Sequence, residues 1–299
     1  MFQGVYTAII TPFRDGKVDE KKLEELVAFQ VEAGVQGLVP LGTTGEFLLL
    51  SREEQKRVID ICVSNCNGKA IVIAGTGSLS IETTIMQTRE AQKAGANAAL
   101  VICPWYIKPS QESLYHYYKK VSEGVEIPII IYNNPSRTMV DISLETLVSL
   151  TSYTNIQGYK ESGSCLQRIS ALKCLLGDRL SVLAGNDDPL AAHLAMGADG
   201  GILVASNVAP DLFVTLIKKW NEGDLSGFKA AWKVVFPLVS ALALESNPAP
   251  IKYAMALVHG VSIESRLPFA PLNFLTQEKI EDALKDLNLW TPLVSVGER

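Results

Sequence analysis

Short segments made almost wholly of apolar residues recur along this chain and alternate with amphipathic segments of helical length. Residues 70–74, 98–103 and 127–132 are three such apolar segments. Strands that are apolar throughout, rather than at every second residue, are typical of a parallel sheet that is covered on both faces. Eight strand–helix units are complete by about residue 222, and eight such units close a barrel. The sequence therefore predicts an α/β fold, a (β/α)8 TIM barrel.

Local signals place the elements of the predicted barrel. Asp19 and the capping box Ser51-Arg-Glu-Glu54 begin the first two helices, and Gly34, Gly95 and Gly197 stand where a helix gives way to a strand. The predicted strands lie at 5–11, 37–41, 70–74, 98–103, 127–132, around Lys160, at 180–184 and at 201–205. Further helices are predicted at 81–94, 111–123, 143–150, 165–176 and 188–196.

The last quarter of the chain has no strand pattern. It predicts helices at about 226–244, 248–259 and 275–287. We therefore divide the chain into a barrel domain, residues 1–224, and a C-terminal helical domain, residues 225–299. The alternative is an open doubly wound sheet, which is disfavoured because no glycine-rich phosphate-binding motif follows the first strand.

Composition argues against several classes of protein. The chain has 299 residues, 47% hydrophobic and 20% charged, which is ordinary for a globular protein with a large core. Its net charge of −5 gives no basic surface for nucleic acid, and no apolar run is long enough to span a membrane. The five cysteines and three histidines lack metal-ligand spacing, so no metal is expected. With no recognisable signal peptide, reduced cysteines in the cytoplasm are expected.

One cation interrupts the predicted strands. Lys160 lies in an apolar stretch that breaks at once into Ser162 and Gly163. In a barrel, the end of a strand is where active sites are built, and a partly buried amine can attack a carbonyl to form a Schiff base. The alternative is a lysine that extends from the strand end to water.

Polar residues also follow other predicted strands. They are Gly42-Thr-Thr-Gly-Glu46 after the second, Pro104-Trp-Tyr106 after the fourth, Tyr132-Asn-Asn-Pro-Ser-Arg-Thr138 after the fifth and Gly185-Asn-Asp-Asp188 after the seventh. Tyr132 suits a proton carrier and Arg137 a carboxylate-binding group. Each motif also has a structural explanation: a simple turn, loop packing, or, for the two aspartates, helix capping. Their common position at one mouth around a strand-end lysine favours an enzyme.

These motifs resemble those of the dihydrodipicolinate synthase / N-acetylneuraminate lyase family. Tyr159-Lys-Glu-Ser162, Asn247-Pro-Ala-Pro-Ile-Lys252 and Arg266-Leu-Pro-Phe-Ala-Pro271 extend the resemblance, which runs from about residue 3 to 288 in family order. It implies a (β/α)8 barrel with C-terminal helices, usually a homotetramer built from tight dimers. It also implies a class I aldolase mechanism in which Lys160 attacks the ketone of pyruvate or another 2-oxo acid, with no cofactor.

The resemblance further implies roles for other residues. Tyr132 would carry protons next to the Schiff base, and Thr43 would link it to Tyr106 of the neighbouring subunit. Thr44 and nearby N–H groups would hold the pyruvate carboxylate, and Gly185 and Ile202 would line the pyruvate pocket.

Arg137 marks the synthase branch of the family, which condenses pyruvate with aspartate semialdehyde in lysine biosynthesis. Pro135-Ser-Arg-Thr138 and Asn247-Pro248 match that branch, so Arg137 and Asn247 are predicted at the substrate site. The alternatives are a Schiff-base aldolase that cleaves a 2-keto-3-deoxy acid or 4-hydroxy-2-oxo acid, a catalytically silent barrel, and pyridoxal phosphate on Lys160. The last has no separate phosphate-binding glycine loop to support it.

Four residues depart from the family pattern. They are Phe47 for a small polar residue, Trp105 for a tyrosine, Asn134 for an apolar residue and Met139 for a glycine. Family members inhibited by lysine carry polar side chains just after the Gly-Thr-Thr-Gly-Glu motif, where this chain has Phe47-Leu48. The resemblance thus leaves the second substrate open and predicts weak or no inhibition by lysine.

Overall fold

Eight parallel strands close into a barrel in the computed structural model, which describes residues 1–290. In chain order the barrel strands are β1 Gly4–Thr7, β2 Gly37–Leu38, β3 Ile71–Gly75, β4 Ala98–Ile102, β5 Ile129–Asn133, β6 Ile156–Glu161, β7 Ser181–Ala184 and β8 Gly200–Leu203. Each strand pairs with its neighbours in the chain, and β1 pairs with β8 to complete the circle. The predicted TIM barrel is confirmed.

A helix follows each barrel strand. These helices are α1 Glu20–Glu32, α2 Arg52–Cys66, α3 Ile81–Ala94, α4 Gln111–Gly124, α5 Leu144–Leu150, α6 Leu166–Leu176, α7 Leu190–Ala195 and α8 Pro210–Asn221. Shorter helical turns are Phe47–Leu49, Pro135–Thr138, Gly177–Arg179 and Ala205–Asn207. A small hairpin, Phe13–Arg14 with Lys17–Val18, stands between β1 and α1 and was not predicted, because each arm has only two residues.

The predicted helix ends are found where the local chemistry requires them. Asp19 accepts a hydrogen bond from Lys22 N, and Ser51 and Glu54 form a reciprocal capping box. Gly95 ends α3 with φ of +99°, a left-handed conformation that costs glycine little. The short strands β1 and β2 end earlier than predicted, because the apolar residues beyond them turn into the loops of the barrel mouth.

The barrel interior is filled with side chains. Residues on alternate positions of each strand point inward, which is the geometry of a pleated strand. The interior cluster comprises mainly Tyr6, Val39, Ile73, Leu100, Ile130, Tyr132, Leu183 and Ile202. The opposite faces of the strands pack against the surrounding helices. The barrel interior is therefore filled, and the cavity above it opens at the end where the polar loops lie.

Three helices complete the described chain: α9 Leu225–Leu242, α10 Ala249–His259 and α11 Phe274–Asp286. Asp224 caps α9, so the proposed division between residues 1–224 and 225–299 falls at a helix start, while residues 291–299 lie outside the described ones. Leu238 and Val239 of α9 share a hydrophobic cluster with Phe213 of α8. The C-terminal helices thus pack directly on the barrel.

Helix α9 also bears on the question of a membrane span. Its 18 residues have a mean hydropathy of 1.3, enough in length and composition to cross a membrane, although no such run was expected. One third of it is buried within the protein, and a core helix meets the same two criteria.

Candidate active site

Lys160 and Tyr132 lie side by side inside the mouth of the barrel. They are register partners on the neighbouring parallel strands β6 and β5. Both side chains are buried, and Lys160 Nζ lies 4.2 Å from the centre of the Tyr132 ring. The lysine therefore does not extend to water. Its amine stands at the base of the cavity, where a small carbonyl compound can reach it.

A cavity of about 250 Å³ opens above Lys160. Seven of the nine predicted site residues line it: Thr43, Thr44, Tyr132, Arg137, Lys160, Gly185 and Asn247. They come from the ends of four barrel strands and from the segment that joins α9 to α10. The loops of a parallel barrel meet at its C-terminal face, which explains why residues so distant in sequence converge.

Two predicted residues do not line this cavity. Ile202 is fully buried in the barrel interior, because it belongs to the inward-pointing set of β8. Tyr106 is 86% exposed and has φ of +69°, in the left-handed region. Thr43 makes no hydrogen bond to Tyr132 within residues 1–290. The relay from Thr43 through Tyr132 to Tyr106 thus stays a prediction for an assembly of several copies.

A buried polar network, which the sequence did not reveal, holds the ends of β5 and β6. Glu161 accepts hydrogen bonds from Asn133 Nδ2 at 3.0 Å, Tyr159 Oη at 2.7 Å and Gly163 N at 2.6 Å. Arg168 Nε lies 3.5 Å from the same carboxylate. Asn133 and Glu161 directly follow Tyr132 and Lys160 in the chain. Their contacts on the outer face therefore fix the two inward-pointing residues.

The mouth is closed on one side by the C-terminal helices. Asn247 Nδ2 donates to Thr44 Oγ1 at 2.9 Å, and Arg137 Nη2 lies 3.5 Å from Asn247 O. Because the Thr44 hydroxyl accepts from Asn247, its own proton is free to donate to a ligand. Arg137 is exposed at the rim and forms no ion pair with another described residue. Within residues 1–290, Arg137 is therefore not a surface arginine that merely pairs with an acid of its own chain.

Tyr132 is surrounded by groups that favour its ionised form. Burial alone raises the pKa of the phenol, but the Lys160 ammonium and a hydrogen bond from Asn134 Nδ2 outweigh burial and leave this pKa below its ordinary value. The distance from Asn134 Nδ2 to Tyr132 Oη is 2.8 Å. A lowered pKa makes this phenol a better proton acceptor and donor at the site than an ordinary tyrosine.

Asp187 does not cap the helix that follows it in the chain, contrary to the sequence interpretation. Helix α7 has Pro189 at its N-cap and no side-chain capping bond. The Asp187 carboxylate instead accepts from the N–H groups of Val204 and Ala205 at 2.9–3.1 Å, which joins the loops after β7 and β8. Burial raises the pKa of this carboxyl group. Asp187 is thus a cavity residue that sequence reasoning assigned to a different role.

Gly185 is the position at which the site tolerates no side chain. A Cβ atom there would lie 2.1 Å from Ser162 Oγ and 2.6 Å from Glu161 O. A glycine allows β7 to approach the end of β6 this closely. The cavity wall beside Lys160 is therefore backbone.

A second buried network connects the loop after β2 to the C-terminal helices. Lys252 and Glu46 form an ion pair with no solvent exposure, and Lys252 Nζ also donates to Glu264 O at 2.8 Å. The other carboxylate oxygen of Glu46 accepts from Arg266 N at 3.0 Å. Burial lowers the pKa of Lys252 to about 8, although Glu46 opposes the shift. This pair anchors the loop that carries Thr43 and Thr44.

The side chains around Lys160 determine which ligands the cavity can hold. Residues 1–290 contain no group of three or more His, Cys, Asp or Glu side chains placed to hold a metal ion. The polar side chains that line the cavity with Lys160 are hydroxyls, amides, the Arg137 guanidinium and three carboxyl groups. The hydroxyl, amide and guanidinium donors suit binding of carboxylate and carbonyl groups, with a lysine as nucleophile.

Comparison with known proteins identifies the family of the chain. A 4-hydroxy-tetrahydrodipicolinate synthase of Rhodospirillum centenum is 42% identical over 291 residues, which are 97% of this chain and 100% of the relative. One of Thermodesulfovibrio yellowstonii is 40% identical over 97% of this chain and 99% of its own length. The crystal structure of dihydrodipicolinate synthase from Aquifex aeolicus, 40% identical, matches 98% of this chain and 100% of that chain with a TM-score of 0.94. The model of the dihydrodipicolinate synthetase family matches residues 1–287, and the chain belongs to that family.

Proposed function

We propose that this protein catalyses the reaction of 4-hydroxy-tetrahydrodipicolinate synthases, the condensation of pyruvate with aspartate semialdehyde, with Lys160 as its Schiff-base residue. It is a lyase of the pyruvate-dependent class I aldolase type. The observation that carries the proposed chemistry is the pairing of Lys160 with Tyr132 at the base of a cavity rimmed by Thr44 and Arg137.

The first half of the reaction takes place at Lys160. Its neutral amine attacks C2 of pyruvate to give a carbinolamine, and loss of water leaves an iminium ion. Loss of a proton from the methyl carbon then gives an enamine, since the C–H electron pair forms the new C=C bond and the C=N π pair returns to the nitrogen, which becomes neutral. Tyr132 lies beside the amine, which supports our assignment of the uptake and return of these protons to its hydroxyl.

Thr44 is the proposed partner of the pyruvate carboxylate. Its hydroxyl accepts from Asn247, so its proton remains available, and it lines the cavity beside Lys160. A carboxylate held there would present the neighbouring ketone carbon to the amine. Binding of the carboxylate would therefore also orient the ketone carbon for attack by the amine.

The second half of the reaction requires an aldehyde. The enamine carbon attacks the aldehyde of aspartate semialdehyde, whose carboxylate we assign to Arg137 at the rim. The amino group of the bound semialdehyde then attacks the iminium carbon, which closes the ring and releases Lys160. The product supplies lysine biosynthesis, the pathway of the synthase branch.

Assembly and location are further parts of the proposal. Exposed Tyr106 lies on a loop after β4, and the exposed apolar side chains Leu48, Ile107 and Met139 are on loops at the same end of the barrel. An apolar surface of this kind favours association with a second copy, in which Tyr106 would complete the relay. We propose a homotetramer that is built as a dimer of dimers. The unpaired thiols of all five cysteines suit a reducing compartment, which supports a cytoplasmic location.

Substrate choice is the experiment that tests the proposed function. Purified protein is assayed with pyruvate and aspartate semialdehyde, and in the cleavage direction with a panel of 2-keto-3-deoxy acids and 4-hydroxy-2-oxo acids. The proposal requires the largest kcat/KM for the semialdehyde. A larger value for any keto-deoxy acid would replace it with the aldolase function.

A further inference from the structure

Asn134 makes the most direct side-chain contact with the phenolic oxygen of Tyr132. Its Nδ2 donates to Tyr132 Oη at 2.8 Å, and its Oδ1 accepts from Ser136 Oγ at 2.8 Å. The side chain is buried and lines the cavity above Lys160. Because Ser136 holds the amide oxygen, the amide nitrogen faces the phenol.

An asparagine at the start of a helical turn usually caps that turn with its side chain, but Asn134 does not. Asn134 is the N-cap of the turn Pro135–Thr138, a position where its side chain would normally accept from a backbone N–H. No such bond is present in this turn, and the Asn134 carbonyl accepts from Thr138 Oγ1 at 2.9 Å instead. The turn is thus held without the amide, which is directed to Tyr132.

We infer that Asn134 is a positioning residue for proton transfer by Tyr132. This inference rests on the proposed function and adds a residue to it. A donor aimed at the phenolic oxygen forces the phenolic hydrogen away from Asn134, and it stabilises the phenolate once that hydrogen has left. Asn134 therefore favours the form of Tyr132 that accepts a proton from the methyl carbon of the pyruvate iminium.

Charged groups around Tyr132 set the background for this effect. Lys160 on β6 and Arg137 on the turn favour the phenolate, and both line the cavity. Three carboxyl groups also line it: Asp187 and Asp188 after β7, and Glu245 after α9. Substitution of Asn134 leaves all five groups in place. A change in Tyr132 titration therefore reports the loss of the amide contact.

The test measures Tyr132 directly. Protein labelled with ¹³C at tyrosine Cζ is titrated by NMR, and the Tyr132 signal is identified from its absence in Tyr132→Phe. Asn134→Leu removes the donor. Ser136→Ala keeps the Asn134 donor but removes the hydrogen bond that orients its amide group. Asn65→Leu, an amide-to-apolar change on α2 outside the site, is the matched control. We expect the Tyr132 pKa to rise by about one unit in Asn134→Leu, by less in Ser136→Ala, and to stay constant in Asn65→Leu.

A second measurement connects this shift to catalysis. Exchange of the pyruvate methyl protons in D₂O moves one proton from carbon to the phenolate and returns a deuteron, with no second substrate. Below the Tyr132 pKa, Asn134→Leu should exchange about tenfold more slowly, with the profile displaced to higher pH.

The outcomes separate this inference from the proposed function. An unshifted or lowered Tyr132 pKa in both Asn134→Leu and Ser136→Ala would overturn the role of Asn134, even if borohydride still traps pyruvate on Lys160. Failure to trap pyruvate on the wild-type protein would overturn the proposed function and the catalytic role of Asn134 together. Ser136→Ala retains the buried asparagine, so it decides the question if Asn134→Leu does not fold.

Discussion

Lys160 Nζ lies 4.2 Å from the centre of the Tyr132 ring, and the two residues are partners across the neighbouring strands β6 and β5. The register of the two strands, rather than the choice of side-chain rotamers, keeps Lys160 and Tyr132 next to each other, because partner residues on parallel strands stand at the same height along the barrel. An ammonium over an aromatic face is also attracted to it. Any group bonded to the Lys160 nitrogen therefore stays within reach of the proton carrier.

Lys160 should form the covalent intermediate. Borohydride reduction in the presence of pyruvate should fix one pyruvate per chain, and peptide mass spectrometry should find it on Lys160. Lys252, whose pKa is lowered to about 8 by burial, is the internal control, since it has no solvent exposure and does not line the cavity. Lys160→Ala should abolish turnover without loss of helical circular dichroism. An adduct on Lys252, or on no lysine, would contradict the mechanism.

Tyr132 should move protons rather than fill space. Tyr132→Phe keeps the ring in the barrel interior but removes the hydroxyl, so we expect kcat to fall by about 10²–10⁴-fold with little change in Tm. The hydroxyl accepts a hydrogen bond from Asn134 Nδ2 and lies near Ser162, so its removal disturbs few contacts. Steady-state kinetics and a thermal melt measure the two quantities. A loss of less than about threefold would make Tyr132 a packing residue.

The contrast between Lys160 and Glu161 shows what the sequence could predict. A cation in an apolar stretch at a strand end marked the active-site mouth, and the alternation of strand side chains then places Lys160 inward. The same alternation sends Glu161 outward, where its partner Asn133 lies on β5 and its neighbour Arg168 on α6. No local pattern identifies such partners, because the closed barrel brings them together.

The contacts of Asp187 could not be derived from the sequence, because its place before a predicted helix suggested a cap whereas its bonds depend on the side to which the loop turns. The role of Ile202 in the pyruvate pocket came from the family resemblance and stays a prediction. Ile202 points into the filled interior, and the Asp187 carboxylate bonds to the next loop instead of its own helix. Side-chain direction at the last residues of short strands is set by barrel closure, which motif spacing does not encode.

His193 should make stability depend on pH. Within residues 1–290 neither ring nitrogen has a hydrogen-bond partner, and burial lowers the pKa of His193 below 6.5, with Asp188 opposing the shift. The unfolded chain therefore binds a proton more readily, so this contribution is complete above pH 6.5 and declines as pH falls toward the folded pKa.

Thermal melts between pH 7.5 and pH 5 should show this decline. His193→Leu should reduce the dependence of Tm on pH, whereas the exposed His116→Leu should not change it. Burial also lowers the pKa of His259, so part of the dependence of Tm on pH should remain in His193→Leu. Equal slopes in wild type and His193→Leu would show that His193 does not contribute.

Lysine should be a poor inhibitor. Phe47, Leu48, Trp105 and Phe269 line a cavity of about 310 Å³ beside the mouth, and the Phe47 and Trp105 rings meet edge to face, 6.1 Å apart. The one carboxylate among the residues that line this cavity, Glu46, is already paired with Lys252, so the ammonium of lysine would find no free anion and its desolvation would be costly. A standard synthase assay with added lysine measures this. Half-inhibition at submillimolar lysine would contradict the prediction.

Arg137 decides between synthase and aldolase, because it is the rim residue assigned to the carboxylate of aspartate semialdehyde. Its guanidinium is exposed, lines the cavity and has no ion-pair partner among the described residues, so it is available for a ligand. A planar guanidinium can hold a carboxylate through two parallel hydrogen bonds, which a lysine cannot reproduce.

Arg137→Ala should therefore raise KM for the semialdehyde and lower kcat/KM by about 10²-fold or more, equal to roughly 2–3 kcal/mol for a lost charge-assisted contact. Arg137→Lys keeps the positive charge but not the two parallel hydrogen bonds of a guanidinium, so it should recover only part of this loss. Schiff-base formation with pyruvate should survive in both variants, because Lys160 and Thr44 are unchanged. If Arg137→Ala leaves kcat/KM for the semialdehyde unaltered, its carboxylate is bound elsewhere and the synthase assignment loses its specificity residue. A wild-type preference for a keto-deoxy acid, with Arg137→Ala equally active on that acid, would establish the aldolase reaction instead.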